Sequence, residues 1–80
     1  MPNGTVYDLQ PGARHRVKSD FTDFYGGQFK QGSILTFQKF NFVPYHGGYT
    51  IYFAEQTLYL QEDENASILQ DMWAYLEPVG

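Results

Sequence analysis

Polar and apolar residues alternate from Arg14 to Phe21. His15, Val17, Ser19 and Phe21 fall on one face, and Arg14, Arg16, Lys18 and Asp20 on the other. A period of two with one charged face predicts a half-buried strand. A second apolar run, Ser33 to Tyr45, is rich in Phe and β-branched residues, but its alternation slips. Leu35 and Phe37 share one parity, Phe40 and Phe42 the other. A bulge or sharp bend near Gln38 to Phe40 would return both pairs to one core. Pro44 should end the strand, because it has no N–H to donate to a ladder. His46-Gly47-Gly48 reads as a hairpin turn. Tyr49 to Ala54 then alternates with Tyr49, Ile51 and Phe53 inward. Glu55-Gln56 reads as a second turn, and Thr57 to Gln61 as a strand with Leu58 and Leu60 inward.

The pattern changes after Gln61. Ile68, Leu69, Met72, Trp73 and Leu76 follow spacings that place them on one helical face, and Pro78 would stop the helix. Asn65 or Asp63 fits an N-cap, and the carboxylates of Glu62, Asp63 and Glu64 suit the positive end of the helix dipole. The expected organisation is a single domain over 1–80: an arm at 1–12, a β-sheet or barrel at 13–61 and a C-terminal helix at 65–77. Val6, Tyr7 and Leu9 are the arm residues suited to dock on the core. The expected class is α+β, mostly β. Its form is a small bent antiparallel sheet, or an SH3-like partly open barrel, with one C-terminal helix. Between Thr22 and Gly32 lies a long connection carrying Gly26, Gly27, Phe24, Tyr25 and Phe29. A loop of that kind folds its aromatics over the sheet or forms part of a binding surface.

Composition narrows the functional classes. The chain has 80 residues, enough for one core and no second lobe. It has no cysteine, which excludes disulfides, thiolate metal sites and a cysteine nucleophile. No run approaches the roughly 18 apolar residues of a membrane span, and Met1-Pro2-Asn3-Gly4 does not resemble a signal peptide. The expected setting is the cytoplasm, with no membrane association. No serine-nucleophile elbow, phosphate loop, dinucleotide fingerprint or zinc-ligand spacing occurs. The chain therefore reads as a non-enzyme with no catalytic residue, no cofactor and no metal.

The net charge of -4 is unevenly spread. Residues 1–40 hold all five bases and three acids, whereas residues 41–80 hold six acids and no base. Phosphate affinity comes from clustered Lys and Arg, so an acidic molecule is a poor general nucleic-acid binder. A single-stranded nucleic-acid surface built from Arg14, Arg16, Lys18, Lys30 and Lys39 with neighbouring aromatics is the alternative reading. It requires the fold to gather those bases beside exposed rings.

Seven Tyr, seven Phe and one Trp exceed what a core of this size hides. Tyrosine, with its apolar body and polar tip, suits a protein interface. The leading expectation is a small interaction module that binds a protein or peptide partner or associates with itself. Asp23, Tyr25, Tyr45, His46 and Tyr49 are the candidate partner-binding residues. Asp23 and Tyr25 lie in the acidic, aromatic loop, which in SH3-like folds helps bind peptides, although the usual SH3 peptide-binding signature is missing. His46 stands in an exposed turn between aromatic strands, where an imidazole can face a partner.

The segments Asp20-Phe21-Thr22-Asp23, Gly32 to Phe37, Phe42 to Thr50 and Leu60 to Asn65 together resemble a family of short bacterial domains of unknown function. FxPYHGGxT and LQEDEN are the most specific parts, and the resemblance spans about residues 12 to 76. It implies a bacterial, intracellular protein without an assigned activity, and it transfers no functional residue.

Overall fold

A computed structural model describes residues 4–79. They form seven strands and one short α-helix: β1 (Arg14–Val17), β2 (Phe21–Thr22), β3 (Gln28–Phe29), β4 (Ile34–Val43), β5 (Gly48–Phe53), β6 (Thr57–Gln61), α1 (Ala66–Gln70) and β7 (Leu76–Pro78). Five strands make one antiparallel sheet in the order β6-β5-β4-β1-β7, and β2 pairs with β3 in a separate ribbon. The outer strands β6 and β7 do not meet, so the sheet stays open and is not closed into an SH3-like barrel.

The expected bulge is present. Phe37 lies opposite Phe53, but Lys39 lies opposite Tyr52, so Gln38 is the extra residue. One additional residue inverts the side-chain parity. Beyond it, Phe40 faces Ile51 and Phe42 faces Tyr49 on the same side of the sheet as Phe37. Pro44 ends β4 as expected, and Gly47 takes the positive φ (+60°) that the turn into β5 needs. The inward residues of β1, β4, β5 and β6 (Val17, Leu35, Ile51 and Leu58) are fully buried.

The C-terminal segment corrects the expected helix at 65–77. Helix α1 stops at Gln70, and Asp71 leaves helical geometry (φ −150°, ψ 78°). A single 3-10 turn follows at Met72–Ala74, and Leu76–Pro78 then joins the sheet beside β1. The apolar stripe still reaches the core, with Ile68, Met72 and Leu76 buried and Leu69 and Trp73 packed against them. Asn65 does not cap α1 through its side chain. Its Oδ1 instead accepts the Gln61 N–H at 2.9 Å, tying the chain back to β6.

The N-terminal arm is more ordered than its composition suggested; its residues 1–3 lie outside the described residues. Thr5 and Asp8 form a capping box around a 3-10 turn at Val6–Asp8, which buries Val6 and Leu9 and leaves Tyr7 exposed. The Gly4 carbonyl accepts the Met72 N–H at 2.6 Å, and Gly4 lies so close to the Trp73 indole that a Cβ would overlap the ring. Trp73 in turn stacks on His15 at 5.3 Å. His15 is 4% exposed and its Nδ1 has no partner among the described residues.

Both edges of the sheet are covered or blunted. On β6, the Phe24 N–H donates to the Tyr59 carbonyl at 2.8 Å, and the Tyr59 N–H donates to Asp23 Oδ2 at 3.2 Å. Strand β7 is three residues long and ends in Pro78. Short length, proline and a covering loop are the usual ways to prevent edge-to-edge pairing.

Candidate functional site

The turn between β4 and β5 carries the most exposed aromatic residue, Tyr45, and the loop between β2 and β3 carries the next, Tyr25. Tyr45 is 96% exposed and Tyr25 72%. Phe24, Phe42, Val43 and Tyr59 are exposed as well. Tyr25 reaches this region because the loop joining β2 to β3 folds onto β6. Its ring meets Tyr59 edge-on at 5.1 Å and Phe24 at 5.1 Å.

Asp23, expected among the partner-binding residues, builds that loop. The side chain is 7% exposed. Oδ1 accepts the N–H groups of Tyr25 (3.0 Å) and Gly27 (2.7 Å), and Oδ2 accepts that of Tyr59. A carboxylate that satisfies three backbone donors fixes a loop and has little left for a ligand. Gly26 supplies the positive φ (+85°) inside the turn, and a Cβ on Gly27 would press on the carboxylate.

Three of the other candidates do come together. Tyr25, His46 and Tyr49 border a groove of about 150 Å³, together with Val43, Gly48, Thr50, Tyr59 and Gln61. Gly48 and Thr50 belong to its floor because alternation puts them on the face of β5 away from the core. Tyr49 borders the groove, but its ring lies on the opposite face against Phe42 (4.7 Å) and Phe40 (6.4 Å). There, hydrogen bonding with Tyr7, then burial, then the Glu62 carboxylate push its hydroxyl up to about 12. Tyr49 thus supports the groove from behind, and its ring does not line it.

A second, polar cleft of about 310 Å³ adjoins the first. It is bordered by Tyr45, His46, Gln61, Glu62, Asp63 and Glu64. His46 and Gln61 border both, so aromatic groove and acidic cleft form one continuous surface. The three carboxylates, read from the sequence as helix-end charges, instead rim this cleft in the turn before α1. No group of three or more His, Asp or Glu able to hold a metal occurs among the described residues.

The fold is similar to that of an integron cassette protein. That solved structure comes from the mobile metagenome of Vibrio cholerae. The two superpose with a TM-score of 0.86 at 22% identity, over 91% of this chain and 88% of the other. Likeness at that identity describes the fold. No family model matches the chain, and no curated protein matches it. No helix among the described residues is long and apolar enough to cross a membrane.

The five bases do not gather beside the exposed rings. Arg16 pairs with Glu77 at 3.4 Å and Lys30 with Asp20 at 3.9 Å. Lys18 donates to the Trp73 carbonyl at 3.0 Å, and Lys39 sits over the Tyr52 ring at 5.3 Å. Arg14 is close enough to Glu55 to help hold that carboxyl below its usual value, after the larger effect of the Thr36 backbone N–H. Sequence reasoning missed Val43, Gln61 and the rim role of Glu62. The available signal was their adjacency to the His46-Gly47-Gly48 turn, which brings the ends of β4 and β6 to the same place.

Proposed function

We propose that this chain is a small non-enzymatic interaction module that binds a protein or peptide segment at the groove beside the β4–β5 turn. The observation that carries this reading is the concentration of exposed Tyr25, Tyr45, Tyr59 and Val43 around one concave, partly polar surface. Exposed aromatics that rim a pocket are the usual anchors of a protein interface, and a tyrosine's polar tip tolerates water when no partner is present. The blunted sheet edges support side-chain recognition over strand addition. Dispersal of the five bases into separate contacts weighs against the nucleic-acid alternative. A bacterial origin and a cytoplasmic setting accompany this reading.

A displayed random-peptide selection tests it. Wild-type chain should enrich peptides whose binding is lost in a Tyr25→Ser/Tyr45→Ser variant. Light scattering on the same pair covers self-association, which should disappear in the variant if a second copy is the occupant. A strictly monomeric protein that enriches no peptide above background would contradict the proposal.

A further inference from the structure

The aromatic groove and the acidic cleft are one surface, and its charge has one sign. Glu62, Asp63 and Glu64 rim the cleft, and no Lys or Arg is among the residues that border the cleft or the groove. None of the three makes an ion pair among the described residues. The Tyr25 ring is held edge-on to Tyr59, with most of its surface in water. That exposed ring in the groove suits a planar cation with an apolar stem, and the carboxylates of the adjoining cleft, across His46 and Gln61, suit a second cation. The ring attracts the first through its quadrupole, and the carboxylates accept the donors of the second.

We infer that the segment recognised here is basic, and that an arginine side chain is its anchor. The arginine lies in the groove against Tyr25, and a flanking basic residue faces Glu62 and Glu64 across His46 and Gln61. This inference rests on the interaction reading above and adds the chemistry of the partner. Arginine is favoured over lysine at the ring because a guanidinium stacks flat on it, whereas an ammonium is a compact, strongly hydrated point charge. Acidic segments are repelled by the same rim.

Titration of the isotope-labelled full chain with hexa-arginine, hexa-lysine and hexa-glutamate peptides, followed by amide NMR shifts, tests this. Hexa-arginine should give saturable shifts centred on Tyr25, His46, Gly48 and Gln61. Hexa-lysine should bind several-fold more weakly, and hexa-glutamate should leave the groove unshifted. Glu62→Gln/Glu64→Gln should weaken hexa-arginine about tenfold, the scale of one lost charge-assisted contact. Tyr25→Ser should erase the preference for arginine over lysine, and Tyr25→Phe should keep it. Shifts spread evenly over the acidic surface, or a preference indifferent to Tyr25→Ser, would overturn the inference. Selected peptides that bind the groove but carry no basic residue would overturn it while leaving the interaction reading intact. A groove that binds no peptide of any kind would remove both.

Discussion

The two halves of β4 have similar composition and different fates. Before Gln38, Leu35 and Phe37 are buried between β1 and β5, with the C-terminal segment and the N-terminal turn completing the core. After it, Phe40 is half-buried, and Phe42 and Val43 are exposed. The bulge returns the second half to the correct parity, but parity does not provide cover. Strand β1 pairs with β4 only at Ile34 to Thr36, so the distal half has β5 as its one neighbour in the sheet. Of these residues Val43 borders the groove, while Phe40 and Phe42 lie on the opposite face against Tyr49.

The sharpest way to break this contrast is to excavate the covered half. Leu35→Ala should cost about 2–5 kcal/mol, a large share of the roughly 5–15 kcal/mol that stabilises a domain. Urea unfolding checks it, and a loss below about 1 kcal/mol would mean that the core is not centred there. Asp23→Ala comes next. Three backbone donors lose their acceptor, which should cost about 1–3 kcal/mol and speed amide exchange at Tyr59 while leaving Leu35 protected.

A smaller effect belongs to His15. Burial lowers its pKa below the ordinary 6.5. The unfolded chain then binds the proton more readily than the folded one, so stability is full above pH 6.5 and is lost as pH falls through the folded value. Thermal melts from about pH 8 down to about pH 5 should show a decline that His15→Phe flattens. The loss from Glu55, whose pKa is lowered chiefly by the Thr36 backbone hydrogen bond, falls below its ordinary 4.5 and stays separate. The smallest effect is spectroscopic. Tyr49 should ionise near 12, and Tyr7→Phe should bring it back toward 10 in an ultraviolet titration.

Where local chemistry decided the outcome, the sequence was legible. Parity exposed the bulge at Gln38, Pro44 marked the end of β4, and alternation delimited β5 and β6. The C-terminal segment was misread because its one-three-one-three apolar spacing satisfies a helix and also satisfies the arrangement formed. Asp71, Trp73 and Tyr75 are indifferent helix formers, and the open edge of β1 offered Leu76 and Glu77 ladder hydrogen bonds that another helical turn would not. The β2–β3 ribbon was hidden in the long connection. Its trace was Phe21 and Phe29 flanking Gly26-Gly27, and the two rings stack at 4.9 Å. In the candidate site, exposed tyrosines and the His46 turn were readable. The inward role of Asp23 was not, because an Asx turn and a surface acid look the same until the donors around them are placed.

On the proposed function, the rings beside the β4–β5 turn serve recognition and not the fold. Equilibrium unfolding of Tyr25→Ser/Tyr45→Ser against wild type tests it most directly. The expected loss is about 1 kcal/mol or less, the scale of the edge-on contacts that Tyr25 makes. A loss of about 3 kcal/mol or more, the scale of a core truncation, would show that these rings hold the domain together and would contradict the claim.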